Sequence, residues 1–493
     1  MTRPVVQLDG RTLGCGQVRD IARGTADASV TSDGWERARA AARVAAEVAA
    51  RSPVYGRTTG VGANRDQAVS PADVEGHGLR LLRSHAGGGG PLIAAELSRA
   101  MLVVRVNQIA AGGSGVDPGI FGPLLAGIND GLAVPVPRYG AIGTGDLTAL
   151  AETALCLLGE RDWLPAGSQQ PRFALAPADA LALLSSNAAT IGEAALACCD
   201  LAELVRAAIV IAALSHRAVT ASTEPYAAPV QEARSYPGQR EVATVLRELL
   251  ADDGPPPARI QDPYGYRALP QVHGPAMDAV RRAEQAVATE LNAAAENPLI
   301  DVAGGTVWHN GNFHTAYMGL ALDAVRAALF QTAALSAARL GTLVEPAFTG
   351  LAPFLATGPP PSSGIMILEY VAHSAIADTR RLGAPAALGS AVLSRGVEEH
   401  AGFSTQSARA TTEIIDAYRI VLACELVAAV RALRLRGIRP GAPSLAGAFD
   451  LAAGSLSADT ADRPLDSDLA AAQDLLTRLA AFATAPRSRM ASE

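Results

Sequence analysis

The sequence of 493 residues contains no lysine, so all 41 of its basic side chains are arginine. Without a lysine amine, the chain cannot form a pyridoxal Schiff base, and it cannot supply the lysine of a phosphate-binding P-loop. An enzyme with this sequence that acts on amino groups therefore needs another electrophile.

Cysteine is also scarce: the five cysteines include no C-x-x-C pair and show no metal-ligand spacing. An odd number without a disulfide framework is typical of reduced thiols in the cytoplasm. The N-terminus lacks the long apolar core of a signal peptide, and the longest apolar run, 207–214, is too short to cross a bilayer. We therefore expect a cytoplasmic protein with no membrane partner.

Charge and sequence motifs argue against nucleic-acid-binding and metal-binding functions. The net charge of −7 and the absence of a basic tract argue against a nucleic-acid partner. His309 and His314 do not form an H-E-x-x-H motif, so we expect no metal site.

Hydrophobic residues make up 49% of the chain but aromatic residues only 4%. Alanine-rich helices fit this composition better than strands, which favour β-branched and aromatic residues.

Long segments with helical apolar periodicity predict a mainly α-helical protein with a central bundle. These segments are 178–222, 275–296, 317–342, 365–382 and 406–434. A helix capped by Ser32-Asp33 is expected earlier in the chain, through Ala50. We predict an N-terminal region at 1–200, the bundle at 201–435 and a helical tail at 436–493.

The most informative stretch is glycine-rich and reads Y-G-A-I-G-T-G-D-L at 139–147. One interpretation is a helix-entry turn with Asp146 or Thr144 as N-cap. Another is backbone self-cyclisation, in which a glycine nitrogen attacks the carbonyl two residues earlier and loss of water leaves an electrophilic imidazolone. Only small flanking residues allow so tight a ring.

Other loops carry candidate functional side chains. Tyr55 opens Y-G-R-T-T-G-V-G, and His85 lies in L-R-S-H-A. The stretch 261–274 reads Q-D-P-Y-G-Y-R-A-L-P-Q-V-H-G, in which Arg267 offers a bidentate fork to a carboxylate. Gln261 and Tyr264 add an amide and a phenol to this stretch. Each side chain also has a purely structural interpretation, such as packing for Tyr55, a helix end for His85 and an ion pair for Arg267.

Together these stretches resemble the histidine and phenylalanine ammonia-lyase family. The family motifs are G-S-V-G-A-S-G-D-L, Y-G-V-N-T-G-F-G, L-x-S-H-A and Q-D-x-Y-S-x-R-C-x-P-Q-V-x-G. Further similar stretches are E-N-P at 296–298, G-N-F-H at 311–314 and E-E-H at 398–400. The resemblance runs from about residue 5 to residue 435 and is closest to the histidine branch.

The resemblance implies a homotetramer and assigns roles to single residues. Tyr55 would remove the β-proton and Arg267 would hold the substrate carboxylate. His85, Phe313 and Glu398 would surround the substrate ring, with Glu398 facing an imidazole. The asparagine that steadies the family cofactor aligns with Ser185, and Asn187 lies two residues further on.

The resemblance also implies a cofactor, the methylidene-imidazolone (MIO) that the family forms from Ala-Ser-Gly. Here the triad is Gly143-Thr144-Gly145. Dehydration of threonine would leave a methyl group on the carbon that must be attacked, which makes that carbon more crowded and less electrophilic.

The resulting hypothesis is an ammonia-lyase-type enzyme that eliminates ammonia from, or adds an amine to, a histidine-like or other polar aromatic amino acid. The product would be an α,β-unsaturated acid. Two alternatives stay open at this point. One is an MIO-free lyase or cyclase that uses the same pocket and Tyr55 on a carboxylate substrate, and the other is a ligand-binding pseudoenzyme.

Overall fold

The computed structural model describes residues 2–167, 170–251 and 254–483, and it is mostly helical. The helices are α1 Cys15–Ala22, α2 Ser32–Ala49, α3 Val74–His85, α4 Ala95–Ala111, α5 Phe121–Asn129, α6 Leu147–Leu158, α7 Ala180–Leu184, α8 Ala188–Ala218, α9 Ala228–Glu232, α10 Pro237–Leu249, α11 Tyr264–Arg267, α12 Leu269–Leu291, α13 Ala316–Leu343, α14 Pro346–Thr349, α15 Ile367–Leu382, α16 Ser404–Leu435, α17 Pro443–Ser455 and α18 Asp466–Ala480. The strands are β1 Val5–Leu8, β2 Asp27–Val30, β3 Gly89–Leu92, β4 Pro137–Tyr139, β5 Leu299–Asp301 and β6 Thr306–Trp308. The prediction of a mainly α-helical chain is confirmed.

The chain forms two compact units. The first comprises Met1–Cys199, Ala283–Leu322 and Pro385–Arg409, and the second comprises Asp200–Arg282, Asp323–Ala384 and Ala410–Glu493. The division into domains at 1–200, 201–435 and 436–493 stays a prediction.

The first unit contains three two-stranded sheets and packs around α4. Strands β1 and β2 pair in parallel, whereas β3 with β4 and β5 with β6 pair antiparallel. Helix α4 contacts α1, α2 and α5, and its residues from Ala100 to Ala110 are all buried. One of these residues, Arg105, pairs with Glu296 at 3.0 Å.

The second unit also buries an ion pair. The guanidinium of Arg339 contacts both carboxylate oxygens of Glu425, with its Nε 2.6 Å from Oε1. Ser215 and Ser336 donate hydrogen bonds to the same carboxylate. Because both charged side chains are inaccessible to solvent, these partners are needed to offset the cost of burying the charges.

The start of α2 differs from the sequence prediction. Thr31 is the N-cap, and its Oγ1 accepts a hydrogen bond from the N–H of Gly34 at 3.1 Å. Ser32 is the first helical residue rather than the cap. The prediction missed this position because Thr31, Ser32 and Asp33 are all good capping residues and the sequence alone does not rank them.

One helix in the described part of the chain, Ala316–Leu343, is long and apolar enough to cross a membrane by length and composition. Half of its most apolar window is buried within the protein. A core helix of a soluble protein passes the same test, so this helix is weak evidence for a membrane span.

Candidate active site

The glycine-rich stretch 139–147 runs from the last residue of β4 to the first residue of α6, and residues 140–146 form the loop between them. Gly143 and Gly145 have φ angles of +86° and +115°, a region that other residues rarely occupy. Space restricts position 143 further, because a Cβ added there would lie 2.4 Å from Oγ of Ser404. The loop therefore requires glycine on both sides of Thr144.

Asp146 ends this loop and is the N-cap residue of α6, although its side chain makes no capping bond. Its carboxylate instead accepts hydrogen bonds from the backbone N–H and the hydroxyl of Thr190, at 2.7 and 2.9 Å. Burial raises the pKa of Asp146 to about 6, and the bonds from Thr190 oppose that rise. Asp146 thus anchors the loop to the first turn of α8.

Asn187 lies directly before α8 and touches the same loop. Its Oδ1 accepts a hydrogen bond from the N–H of Gly145 at 2.8 Å, and its Nδ2 donates to the carbonyl of Phe313. Ser185, the residue that aligns without a gap, accepts a hydrogen bond from the N–H of Asn297 at 2.9 Å instead. Of the two candidates, Asn187 is therefore the one whose side chain bonds to the loop.

Tyr55 is half-buried in the loop that follows α2. Its hydroxyl oxygen accepts a hydrogen bond from the N–H of Gly62 at 2.7 Å. Burial raises the pKa of Tyr55, and the nearby carboxylate of Glu398 raises it further. The Gly62 bond and the positive charge of Arg65 act in the opposite direction, because both favour the phenolate.

The loop that carries Glu398 is tied to the loop that carries Tyr55. Oγ of Ser394 accepts a hydrogen bond from the N–H of Ala63 at 2.9 Å. Ser394 and Arg395 have φ angles of +52° and +57°, which turn the chain sharply before Glu398. Conformations of this kind cost energy and persist where the surroundings hold them in place.

His85 is the last residue of α3 and bonds back onto its own helix. Its Nδ1 lies 2.8 Å from the carbonyl oxygen of Leu81. Because a carbonyl oxygen can only accept, Nδ1 is the donor of this hydrogen bond.

These loops meet around one cavity of about 620 Å³. Six of the predicted site residues line it: Tyr55, His85, Thr144, Gly145, Phe313 and Glu398. Gly143 and Asn187 support its wall through the bonds and contacts described above. All the lining residues belong to the first unit.

The other three predicted site residues, Gln261, Tyr264 and Arg267, belong to the second unit. Tyr264 is 67% exposed, and the guanidinium carbon of Arg267 lies 4.1 Å from the centre of its ring. The buried Nε of Arg267 has no hydrogen-bond partner in the described part of the chain. An arginine with an unused donor is suited to binding an anion.

Sequence reasoning missed several polar residues in the cavity wall, among them Arg65, His309 and Ser394. Nε2 of His309 accepts a hydrogen bond from the N–H of Tyr55 at 3.3 Å. Arg65 had a local signal, since it lies ten residues after Tyr55 in the same glycine-rich segment. Ser394 had none, because its role depends on a contact with a distant loop.

Metal binding is not indicated by the described residues 2–167, 170–251 and 254–483, in which no group of three or more potential ligands occurs. His314 and His400 do form a pair, with Nε2 of the former 2.9 Å from Nδ1 of the latter. No third ligand accompanies this pair among those residues.

Comparison with known proteins decides the family. The profile of the aromatic amino acid lyases matches residues 13–452. The chain belongs to the aromatic amino acid lyase family. The family consists of enzymes, and its histidine ammonia-lyases are carbon–nitrogen lyases that in general depend on MIO.

Within the aromatic amino acid lyases, the chain is similar to histidine ammonia-lyases. The enzyme of Geobacillus kaustophilus is 36% identical, over 85% of this chain and 86% of the relative. The enzyme of Stigmatella aurantiaca is 32% identical, over 97% of both chains.

Solved structures agree with the fold. Histidine ammonia-lyase from Trypanosoma cruzi matches with a TM-score of 0.88 and 26% identity, covering 99% of this chain and 100% of that one. Tyrosine aminomutase from Streptomyces globisporus matches with a TM-score of 0.89 and 27% identity, covering 97% of each chain. The prediction of a histidine ammonia-lyase-like fold is confirmed.

Proposed function

We propose that this lyase eliminates ammonia from a histidine-like or other polar aromatic amino acid and releases an α,β-unsaturated acid. The observation that carries the proposal is the convergence of Tyr55, His85 and Glu398 on the cavity that contains Thr144. A phenol, an imidazole and a carboxylate around one cavity suit a substrate with a polar ring and a removable β-proton.

We infer that Tyr55 is the base. Removal of the β-proton requires a phenolate, and the N–H of Gly62 donates to the oxygen on which that charge resides. His85 and Glu398 contact the substrate ring in this proposal, since both side chains reach the cavity wall. The carboxylate of Glu398 favours a ring that carries N–H donors, such as imidazole.

The residues present fit formation of the family cofactor. Gly145 supplies the nitrogen for ring closure and is held by Asn187 at 2.8 Å. Gly143 supplies the carbonyl, and both glycines have the unusual φ angles noted above. With Thr144 between them, the ring would carry an ethylidene group rather than a methylidene group. When formed, this group supplies an electrophile that makes ammonia a better leaving group.

The second unit supplies the remaining parts of the proposal. Arg267 would hold the substrate carboxylate through the fork of its guanidinium group. Gln261 and Tyr264 would orient the amino group and the cofactor. In a homotetramer, as the family resemblance implies, loops of several copies would complete each site. We also propose a cytoplasmic location and no nucleic-acid or membrane partner.

A substrate screen combined with intact mass tests the proposal. We expect the protein to weigh two water molecules less than its sequence and to convert histidine or a similar amino acid to a product with new ultraviolet absorbance. Turnover by protein of full mass would contradict the proposed cofactor. Absence of turnover on every amino acid, in protein short by two waters, would contradict the proposed reaction.

A further inference from the structure

A pair of buried hydroxyls stands behind the glycine-rich loop, outside the cavity that the proposed reaction uses. Oγ1 of Thr315 lies 3.4 Å from the carbonyl oxygen of Gly143 and 2.6 Å from Oγ of Ser404. Thr315 is 1% exposed and Ser404 is fully buried. Solvent therefore cannot replace either hydroxyl at the carbonyl.

The same region fixes the loop in place. The N–H of Phe403 donates to the carbonyl of Ile142 at 2.8 Å, and Nε2 of Gln406 donates to the carbonyl of Ala141 at 2.9 Å. Phe403 and the first turn of α16 thus hold the backbone on the N-terminal side of Gly143. Asn187 holds it on the other side, through Gly145.

We propose that Thr315 and Ser404 are positioning residues for closure of the imidazolone ring, an inference that rests on the proposed cofactor. Each hydroxyl has one proton, so a chain in which Ser404 donates to Thr315 leaves Thr315 free to donate to Gly143. A hydrogen bond to that oxygen polarises the carbonyl and stabilises the negative charge that develops during attack. The separation of 3.4 Å is expected to shorten as the charge develops.

The covalent step balances without a further reactant. A bond forms between the nitrogen of Gly145 and the carbonyl carbon of Gly143. The Gly143 oxygen leaves as water with the protons of the Gly145 and Thr144 nitrogens, so that a C=N bond forms. The hydroxyl and the α-proton of Thr144 then leave as a second molecule of water. Two waters leave in total, and no oxidant or reductant is required.

Thr315→Val tests the proposal, since it removes the hydroxyl and keeps the side-chain shape. Freshly folded protein is sampled over time, and the cyclised fraction is read from the intact mass. We expect wild type to lose two waters and Thr315→Val to keep its full mass at least about tenfold longer, which corresponds to about 1.4 kcal/mol in the barrier. Ser404→Ala should also slow ring closure relative to wild type.

Two further variants separate chemistry from packing. Thr315→Ser restores a hydroxyl and should restore cyclisation. Thr153→Val removes a buried hydroxyl that donates a hydrogen bond within its own helix, to the Ala149 carbonyl, and should cyclise like wild type. Circular dichroism and thermal melting establish that each variant is folded.

The outcomes distinguish the role of the hydroxyl pair from the proposed function. Equal cyclisation of wild type and Thr315→Val would overturn the role of the hydroxyl pair and leave the proposed function intact. A Thr315→Val protein short by one water would place its defect after ring closure and would also overturn the assignment, as would failure of Thr315→Ser. Full mass in the wild type would overturn both the inference and the cofactor.

Discussion

Oδ1 of Asn187 accepts a hydrogen bond from the N–H of Gly145 at 2.8 Å. This contact joins the residue before α8 to the nitrogen on which the proposed ring closure depends. It also separates Asn187 from Ser185, whose hydroxyl bonds to the backbone of Asn297.

We therefore predict different effects for Asn187→Ala and Ser185→Ala on cofactor formation. Loss of the Asn187 acceptor leaves the N–H of Gly145 without this hydrogen bond and should slow ring closure by about fivefold, in keeping with a lost hydrogen bond of about 1 kcal/mol. Ser185→Ala should leave the rate of water loss unchanged. Time-resolved intact mass measures both, and a slower rate for Ser185→Ala than for Asn187→Ala would contradict the assignment.

Thr144→Ser is expected to raise turnover. In the proposed cofactor, the extra methyl of threonine would crowd the carbon that is attacked, and serine would remove that methyl. We expect kcat to increase by about tenfold, or about 1.4 kcal/mol in the activation barrier. Thr148→Ser, at the second residue of α6, is the matched control. Slower turnover of Thr144→Ser at equal cofactor content would show that the threonine is tuned to this enzyme's substrate.

Gly143→Ala should prevent cofactor formation, although alanine is the family's residue at this position. Its Cβ would lie 2.4 Å from Oγ and 2.7 Å from the backbone nitrogen of Ser404, and the φ of +86° disfavours any side chain. Gly131→Ala is the control, since Gly131 also has a positive φ but nothing lies within 4 Å of an added Cβ. Normal water loss in Gly143→Ala would show that the loop can rearrange.

The pH profile of kcat/KM should report the ionisation of Tyr55. The base acts as the phenolate, so activity rises with pH through the Tyr55 pKa, and Tyr55→Phe should lower kcat/KM by at least about 100-fold. Glu398 raises this pKa and Arg65 lowers it. Glu398→Gln should therefore move the rising limb to lower pH, and Arg65→Gln should move it to higher pH.

The test is the direction in which each variant shifts the rising limb of the pH profile. A general loss of packing would not shift the limb to lower pH in one variant and to higher pH in the other. Steady-state assays across the alkaline range measure both variants beside the wild type. Shifts in the same direction would mean that the rise of kcat/KM with pH reports the ionisation of a group other than Tyr55.

Glu296→Gln should destabilise the protein. The side chains of Arg105 and Glu296 are 1% and 2% exposed, and removal of one charge leaves the other buried without its partner. We expect a loss of about 3–5 kcal/mol in the free energy of unfolding. Glu160→Gln breaks the exposed pair with Arg83 and should cost less than about 1 kcal/mol. Urea unfolding measures both, and equal effects would contradict this reasoning.

Much of this protein is determined by local sequence. Long apolar segments and a high alanine content specify the helices α8, α12, α13 and α16, because alanine has the highest helix propensity and burial of apolar side chains stabilises a helix. The absence of lysine excludes a Schiff-base electrophile outright. The tight turn around Thr144 can also be predicted from its flanking glycines, since such turns require small residues.

Other features were decided only by tertiary structure. No local pattern distinguishes Asn187 from Ser185, and none links Ser394 to the loop of Tyr55, because both choices depend on which distant backbone comes within hydrogen-bond distance. The fit of Ser404 against Gly143 is likewise a contact between segments far apart in the chain. Sequence specifies where the chain can turn and which faces it buries. The hydrogen bonds that surround the Thr144 loop arise only once packing has excluded water and left each polar group a restricted choice of partners.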